Sequence, residues 1–402
     1  MAVVDSGSCS SLDKVVSNDD LLLEILFRLP VKSLFRFKSV SKHWHSLISN
    51  PPLVHLLRHH RRKPSGLLLH WKSFLSLSYL DFLPFNNNHA HDRPFFPNYY
   101  DIHYFTSCNG LISWVDSINV FHVMNPTTRQ LITLPQPLLF RLRIEGMTLA
   151  FDPSKSLHYK LISLWTDSAR FTNNPPASCF QIEIYSSETI SSRVLVDLNF
   201  TWPYRQRPKF SRGTYWNDAI IWFCNYGGDS LYLQIKEERL GTIPRLTTSF
   251  QDEGKDICYG ESGGHFYVVE RSSPSPNVAL KVSELMADFS GWVTKYIAEL
   301  GEDVGRAFPE MIEDQGLMTR FRVLSMVWGG GGGGEEQPYL VLLVPGGKMI
   351  RFNLEDKRFG EVCDVGKVTC MQDGKRTYGS TRYTSCRLEV HHYFHSLFNV
   401  LP

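Results

Sequence analysis

"GTYWNDAIIWFCNYGGDSLYLQIKEERLGTIP", residues 213–244, holds the pattern that decides the fold. An apolar run, a glycine-bearing turn, a stretch alternating apolar and polar residues, a polar turn near Lys236 and a last short run follow one another. Short runs rich in β-branched and aromatic residues, bounded by Gly, Asn and Asp, read as strands. Strands joined by turns this short pair antiparallel. The order recurs in "GLISWVDSINVFHVMNPTTRQLITLP" and in "YKLISLW…CFQIEIYSSETISSRVLVDL". It recurs again from "GESGGHFYVVE" to "GWVTKYIAEL", and from "RFRVLSMVW" to "KRFGEVCDV". The late polar turns fall near Asn125, Ser187, Lys236, Ala287 and Asp356. Their irregular spacing averages within reach of the roughly 50 residues of a kelch blade.

Repeated antiparallel units of three or four strands, with a flanking unit at 66–106, predict an all-β domain over residues 66–402. A kelch-like β-propeller of about six or seven blades fits best, because radial repetition hides sheet edges. A pair of β-sandwiches is the other arrangement, but no change of composition divides the region. The C-terminal "CRLEVHHYFHSLFNV" (386–400) is expected to close the ring by pairing with the first blade.

The N-terminal part has a different period. Residues 1–16 are small and polar and are expected to be disordered. Residues 17–60 predict three to four short helices. Ser17 is the expected cap of the first, with Asp19 and Asp20 in its opening turn, where negative charge suits the helix dipole. Leu21, Ile25 and Leu29 form one i, i+4 row, and Leu22 and Leu26 the next. Pro30 ends that helix. A second helix fits 32–38, Ser39 or Ser41 caps a third carrying Trp44, and Pro51 and Pro52 start another reaching His60. Residues 61–65 complete a basic linker. So few residues cannot bury much by themselves. Apolar side chains nearly encircle the first helix, and the propeller closes its own edges, so the expected cover is another protein.

Composition removes several classes. The chain has 402 residues, 43% hydrophobic and 20% charged, with a net charge of +2. That balance gives no general attraction to nucleic acid or to an anionic membrane. No apolar run reaches the ~18 residues of a membrane helix. The start lacks a signal-peptide pattern, so a reducing compartment, cytoplasmic or nuclear, is expected. The eight cysteines are scattered without a CxxC pair, which indicates neither a disulfide framework nor a zinc site.

At residues 19–51, "DDLLLEILFRLPVKSLFRFKSVSKHWHSLISNP" resembles an F-box, in particular the plant form. The family's Leu-Pro pair matches Leu29-Pro30, its Leu matches Leu34, its Val matches Val40, and its Lys-x-Trp matches Lys42-His43-Trp44. Ser17-Asn18 departs from the usual Leu-Pro before the acidic pair, and Ser41 stands where cysteine is frequent. The rest resembles plant F-box-associated, kelch-like domains in pieces such as "SCNGLISW", "NPTTRQLITLP", "LAFDPSKSLHYKLISLW" and "YGESGGHFYVVE". The resemblance implies a non-catalytic substrate receptor of an SCF ubiquitin ligase. Its F-box would dock on a Skp-type adaptor, and through it a cullin, while the β domain recruits a protein target. The residues expected at the adaptor are Leu22, Ile25, Leu29, Pro30, Leu34, Val40 and Trp44. Trp44 serves equally well as a core residue of the module. A lectin-like or scaffolding propeller outside a ligase is the competing class.

Enzyme signals are weak. Gly260-Glu261-Ser262-Gly263-Gly264 fits G-x-S-x-G, but a strand follows it where a nucleophile elbow needs a helix. Ser230 follows Gly228-Asp229 in a turn between strands. Glycines 329–334 lack the Lys-Ser/Thr of a phosphate loop. His391, His392 and His395 have only Glu389 nearby to complete a metal site, so no metal or cofactor is expected. Arg58 to Lys63 reads as solvated linker rather than a nucleic-acid site. Arg205, Arg207, Lys209 and Arg212 form a second basic cluster, which reads either as a reader of acidic targets or as solvated surface. Loops 86–101, 167–178, 203–212 and 272–277 are candidates for meeting a target. Phe95, Phe96, Tyr99 and Tyr100 are either anchors there or, as favoured here, packing that ties a loop to the propeller.

Overall fold

The computed structural model describes residues 18–29, 31–49, 64–73, 78–85, 94–96, 102–167, 178–198, 200–202, 208–225, 228–246, 257–271, 278–300, 306–311, 321–328, 337–344, 348–364, 371–372, 375–376, 386–398 and 400. The N-terminal 16 residues, the fourth helix, most of the basic linker and the glycine run lie outside them, as do Tyr99, Tyr100, Arg205 and Arg207.

Among the described residues of the β region, six antiparallel sheets are arranged as the blades of a propeller, and a seventh, two-stranded one pairs Met371–Gln372 with Lys375–Arg376. Blades 2 to 6 each run in chain order from the channel outward. Their inner strands are Tyr104–Cys108, Arg143–Ala150, Thr214–Trp216, Ile257–Ser262 and Arg322–Val327. Blade 1 is built from both ends of the β region: Cys386–Tyr393 is its inner strand and pairs antiparallel with Gly66–Ser73, which pairs in turn with Ser78–Pro84. The C-terminal segment therefore closes the ring, as the sequence predicts.

The five late turns lie where the sequence places them, between the third and fourth strands of blades 2 to 6. In each, a non-glycine residue has positive φ: Arg129, Ile190, Glu238, Phe289 and Lys357. A left-handed residue after a type I turn is a common way to match a hairpin to strand twist. This backbone conformation, shared by chemically unlike residues, explains why the turns recur without a fixed sequence motif.

Packing between blades completes the ring. Each neighbouring pair of blades shares one buried apolar cluster, including Leu67, Leu69 and Trp71 of blade 1 against Leu324, Val341 and Met349 of blade 6. The sequence alternates apolar and polar residues weakly here because most blades are buried on both faces.

The ring joint holds a buried charge cluster. Glu389 on the closing strand pairs in register with His70 on Gly66–Ser73. Glu389 Oε2 lies 2.9 Å from Lys72 Nζ and 3.5 Å from His70 Nδ1. Burial pushes the Glu389 carboxyl up, but His70 and the Lys72 ammonium pull harder and hold it well below the usual carboxylate range. A register slip of one residue would leave these charges buried without partners, so the cluster favours a single closure.

Beyond Tyr393 the chain lies along blade 2. Asn125 Nδ2 donates to the carbonyls of Ser396 and Phe398 at 3.0 and 2.8 Å. Phe398 packs on Phe151 with ring centroids 4.4 Å apart. Gly110, at φ +89°, meets this tail so closely that an added Cβ would sit 2.5 Å from Ser396 Cβ.

Candidate interaction surface of the helical module

Three helices precede the propeller: α1 (Asp19–Arg28), α2 (Val31–Phe37) and α3 (Lys42–Ser49). The cap of α1 is Asn18 rather than Ser17. Its Oδ1 accepts from the backbone amides of Asp20 and Leu21 at 3.0 and 3.3 Å. Asparagine caps as well as serine, so spacing from Asp19 alone could not separate the two. Leu29 is extended, as a residue before proline must be, and ends α1. Ser41, not Ser39, caps α3 by accepting from Trp44 N at 3.1 Å, while Ser39 donates to the Arg36 carbonyl.

Leu22, Leu26, Leu34, Leu47 and Ile48 make the module's core. Leu23, Leu29, Phe37 and Trp44 pack around it, with Phe37 and Trp44 edge to face at 5.3 Å. So Leu22 and Leu34, expected at the adaptor, sit inside the module, where they hold its shape. Trp44 and Leu29 are half-buried at its margin. Ile25 and Val40 are exposed, at 45% and 61%. Leu21, one turn before Ile25, is also 45% exposed. Pro30 lies outside the described residues. Among its described side chains α1 thus has an inward row and an outward row, and the outward row is left exposed.

The cover of the inward face is not wholly another protein, contrary to the expectation from sequence. Leu397, from the tail beyond the closing strand, packs against this core. A lone leucine in a C-terminal stretch carries no signal of such a contact. His43 Nε2 also lies 3.0 Å from Asp19 Oδ1 and ties α3 to the start of α1.

Residues 18–56 match the family model described as the F-box domain. An alignment over 385 residues, at 31% identity, matches the F-box protein At5g07610 of Arabidopsis thaliana and covers 89% of this chain and 88% of that one. The chain is an F-box protein. Two further Arabidopsis thaliana relatives are the putative F-box/kelch-repeat protein At1g12870, 26% identical over 63% of this chain and 64% of its own length, and the putative F-box protein At3g10240, 38% identical over 29% and 33%.

The propeller of this F-box protein places the two candidate serines at strand ends. Ser262 is buried and accepts from Trp328 N at 2.9 Å, and the turn after it passes through Gly263 and Gly264 at positive φ into a strand. Ser230 accepts from Cys224 N at 3.0 Å. Both hydroxyls serve backbone amides. His391, His392 and His395 do not converge, and no group of three His, Cys, Asp or Glu residues suited to a metal occurs among the described residues. Phe96 packs on the core between blades 1 and 2, while Phe95 stays exposed beneath Arg129. Of the second basic cluster, Lys209 donates its backbone amide to Phe223 O, and Arg212 turns into the channel.

Proposed function

We propose that this F-box protein is the substrate-recognition subunit of an SCF-type ubiquitin ligase. The observation that carries the reading is the outward apolar row of Leu21 and Ile25, with Val40, on a matched F-box whose own core is already filled. Exposed apolar side chains beside a complete core are a surface for a partner. A Skp-type adaptor is that partner, with a cullin beyond it. The charged neighbours Glu24 and Arg28, paired at 2.7 Å, form part of the rim. The propeller holds a protein target, and the subunit performs no chemistry itself. It raises the effective concentration of target lysines near a charged conjugating enzyme. Action in the cytoplasm or nucleus follows from that role.

The reading is tested by co-purification of the full chain with a Skp-type adaptor, comparing wild type with Ile25→Ala combined with Val40→Ala. Both side chains are exposed, so folding should change by less than about 0.5 kcal/mol each. Adaptor affinity should fall at least about tenfold, as for truncation of interface anchors. Undiminished capture by the double variant, or no capture by the wild type, would defeat the proposal.

A further inference from the structure

The channel inside the ring holds a cavity of about 330 Å³. That volume lies within the ~300–1,000 Å³ typical of small-molecule sites. Arg212 reaches its inner end and also lines a smaller cavity of about 30 Å³ behind it. Its guanidinium lies 4.6 Å above the Tyr259 ring, and Nη2 donates to the Tyr259 carbonyl at 3.2 Å. In return the Tyr259 hydroxyl donates to the Arg212 carbonyl at 3.4 Å. Among the described residues no carboxylate comes within 4.0 Å of this guanidinium. An arginine has five N–H donors, and the Tyr259 carbonyl takes one of them. His391, on the closing strand, lines the same cavity, its Nε2 buried within the wall. Its ring is fixed edge to face against Phe105 at 5.1 Å.

The two carboxylates that line the cavity are engaged at turns. Glu261 accepts from Gly264 N at 2.8 Å, and Asp152 accepts from Ser154 N at 2.9 Å. They place negative charge at the end where the strands turn, away from the arginine. A positively charged floor behind an acidic entrance disfavours a polyanion or an acidic peptide, which would meet Asp152 and Glu261 first. It accepts a compact molecule with one acid group.

We propose that the channel is a binding site for a small organic acid whose carboxylate or phosphate seats on Arg212, with His391 in the wall of the same cavity. The Tyr259 ring that carries Arg212 is part of the same floor. Because Arg212 precedes blade 4, Tyr259 belongs to blade 5 and His391 to the closing strand, a bound acid would link three parts of the ring and stabilise its closed form. The site is independent of the adaptor reading, since neither requires the other.

Benzoate, inorganic phosphate and the neutral isostere benzamide serve as probes in thermal-melt and calorimetric titrations of the full chain. Benzoate should raise the melting midpoint in a concentration-dependent way, phosphate should compete with it, and benzamide should do neither. Arg212→Gln should weaken benzoate by about ten- to a hundredfold, the scale of a lost charge-assisted hydrogen bond. Arg193→Gln, at the exposed pair with Glu238, should leave it unchanged. If Arg212→Gln fails to fold by circular dichroism, Arg212→Lys carries the same test, with weakened binding expected. Equal effects of benzamide and benzoate, unchanged binding by the arginine variants, or no shift with either anion up to the solubility limit would overturn the proposal. So would displacement of benzoate by an acidic decapeptide more readily than by phosphate, which would assign the arginine to a protein side chain.

Discussion

The ring and the helical module solve the problem of burial in opposite ways. The ring distributes its core over six inter-blade clusters, and each blade is covered by two neighbours. The module gathers five buried residues and adds Leu397 from the far end of the chain. A repeat architecture is stabilised by every neighbour interface. A module of this size is marginal and depends on what covers it. The same C-terminal segment serves both: it closes the ring up to Tyr393 and touches the module four residues later. Ring closure and module position are therefore mechanically joined.

The largest test of that joint removes it. A chain lacking residues 386–402 loses the inner strand of blade 1 and exposes both flanking clusters. It should show no cooperative unfolding transition in urea monitored by circular dichroism. A transition at the wild-type midpoint would mean that the ring does not depend on closure.

Glu389→Gln keeps the shape but leaves Lys72 and His70 without their buried carboxylate. The expected cost is about 3–5 kcal/mol, the range for breaking a buried pair. The effect carries a pH signature. A carboxyl whose folded pKa is depressed adds stability that is present above its unfolded value of 4.5 and is lost as pH falls from there toward the folded pKa. Wild type should therefore lose stability below about pH 4.5 more steeply than the variant. Parallel pH profiles would remove Glu389 from the closure.

Leu26→Ala should cost about 2–5 kcal/mol locally. Such a loss exceeds what a five-residue core can hold, so α1 amides should lose hydrogen-exchange protection while the blades keep theirs. Simultaneous loss in the blades would show that module and ring unfold as one unit. Leu397→Ala probes the same contact from the other side, with a smaller expected effect of about 1 kcal/mol because the side chain is half-buried. It should raise α1 exchange without moving the melting midpoint of the ring. No change in α1 exchange would reduce the contact to incidental packing.

Much of this was legible in the linear pattern, for reasons that differ by region. The propeller announced itself through strand–turn order and through five late turns, because local backbone preferences repeat in every blade. Closure by residues 386–400 was legible as an unpartnered apolar strand. The module was legible as helices from apolar rows and from Pro30, but its apolar residues could not be sorted into inward and outward ones. Leu22 and Leu34 carry the same side chain as Leu21, and only the packing of α2 and α3 buries them. The basic cluster at 205–212 posed the same difficulty, since composition gives no direction to a side chain.

Periodicity, turn chemistry and motif are local, so the strand order of the blades, the first three helices and the family could be read from the linear chain. Only the tertiary structure decided that Glu389 meets Lys72, that Leu397 reaches the module, and that Arg212 enters the channel rather than solvent. Each of those facts joins residues far apart in the chain. Their contact is set by how six twisted sheets close on one another, a condition no single stretch of sequence expresses.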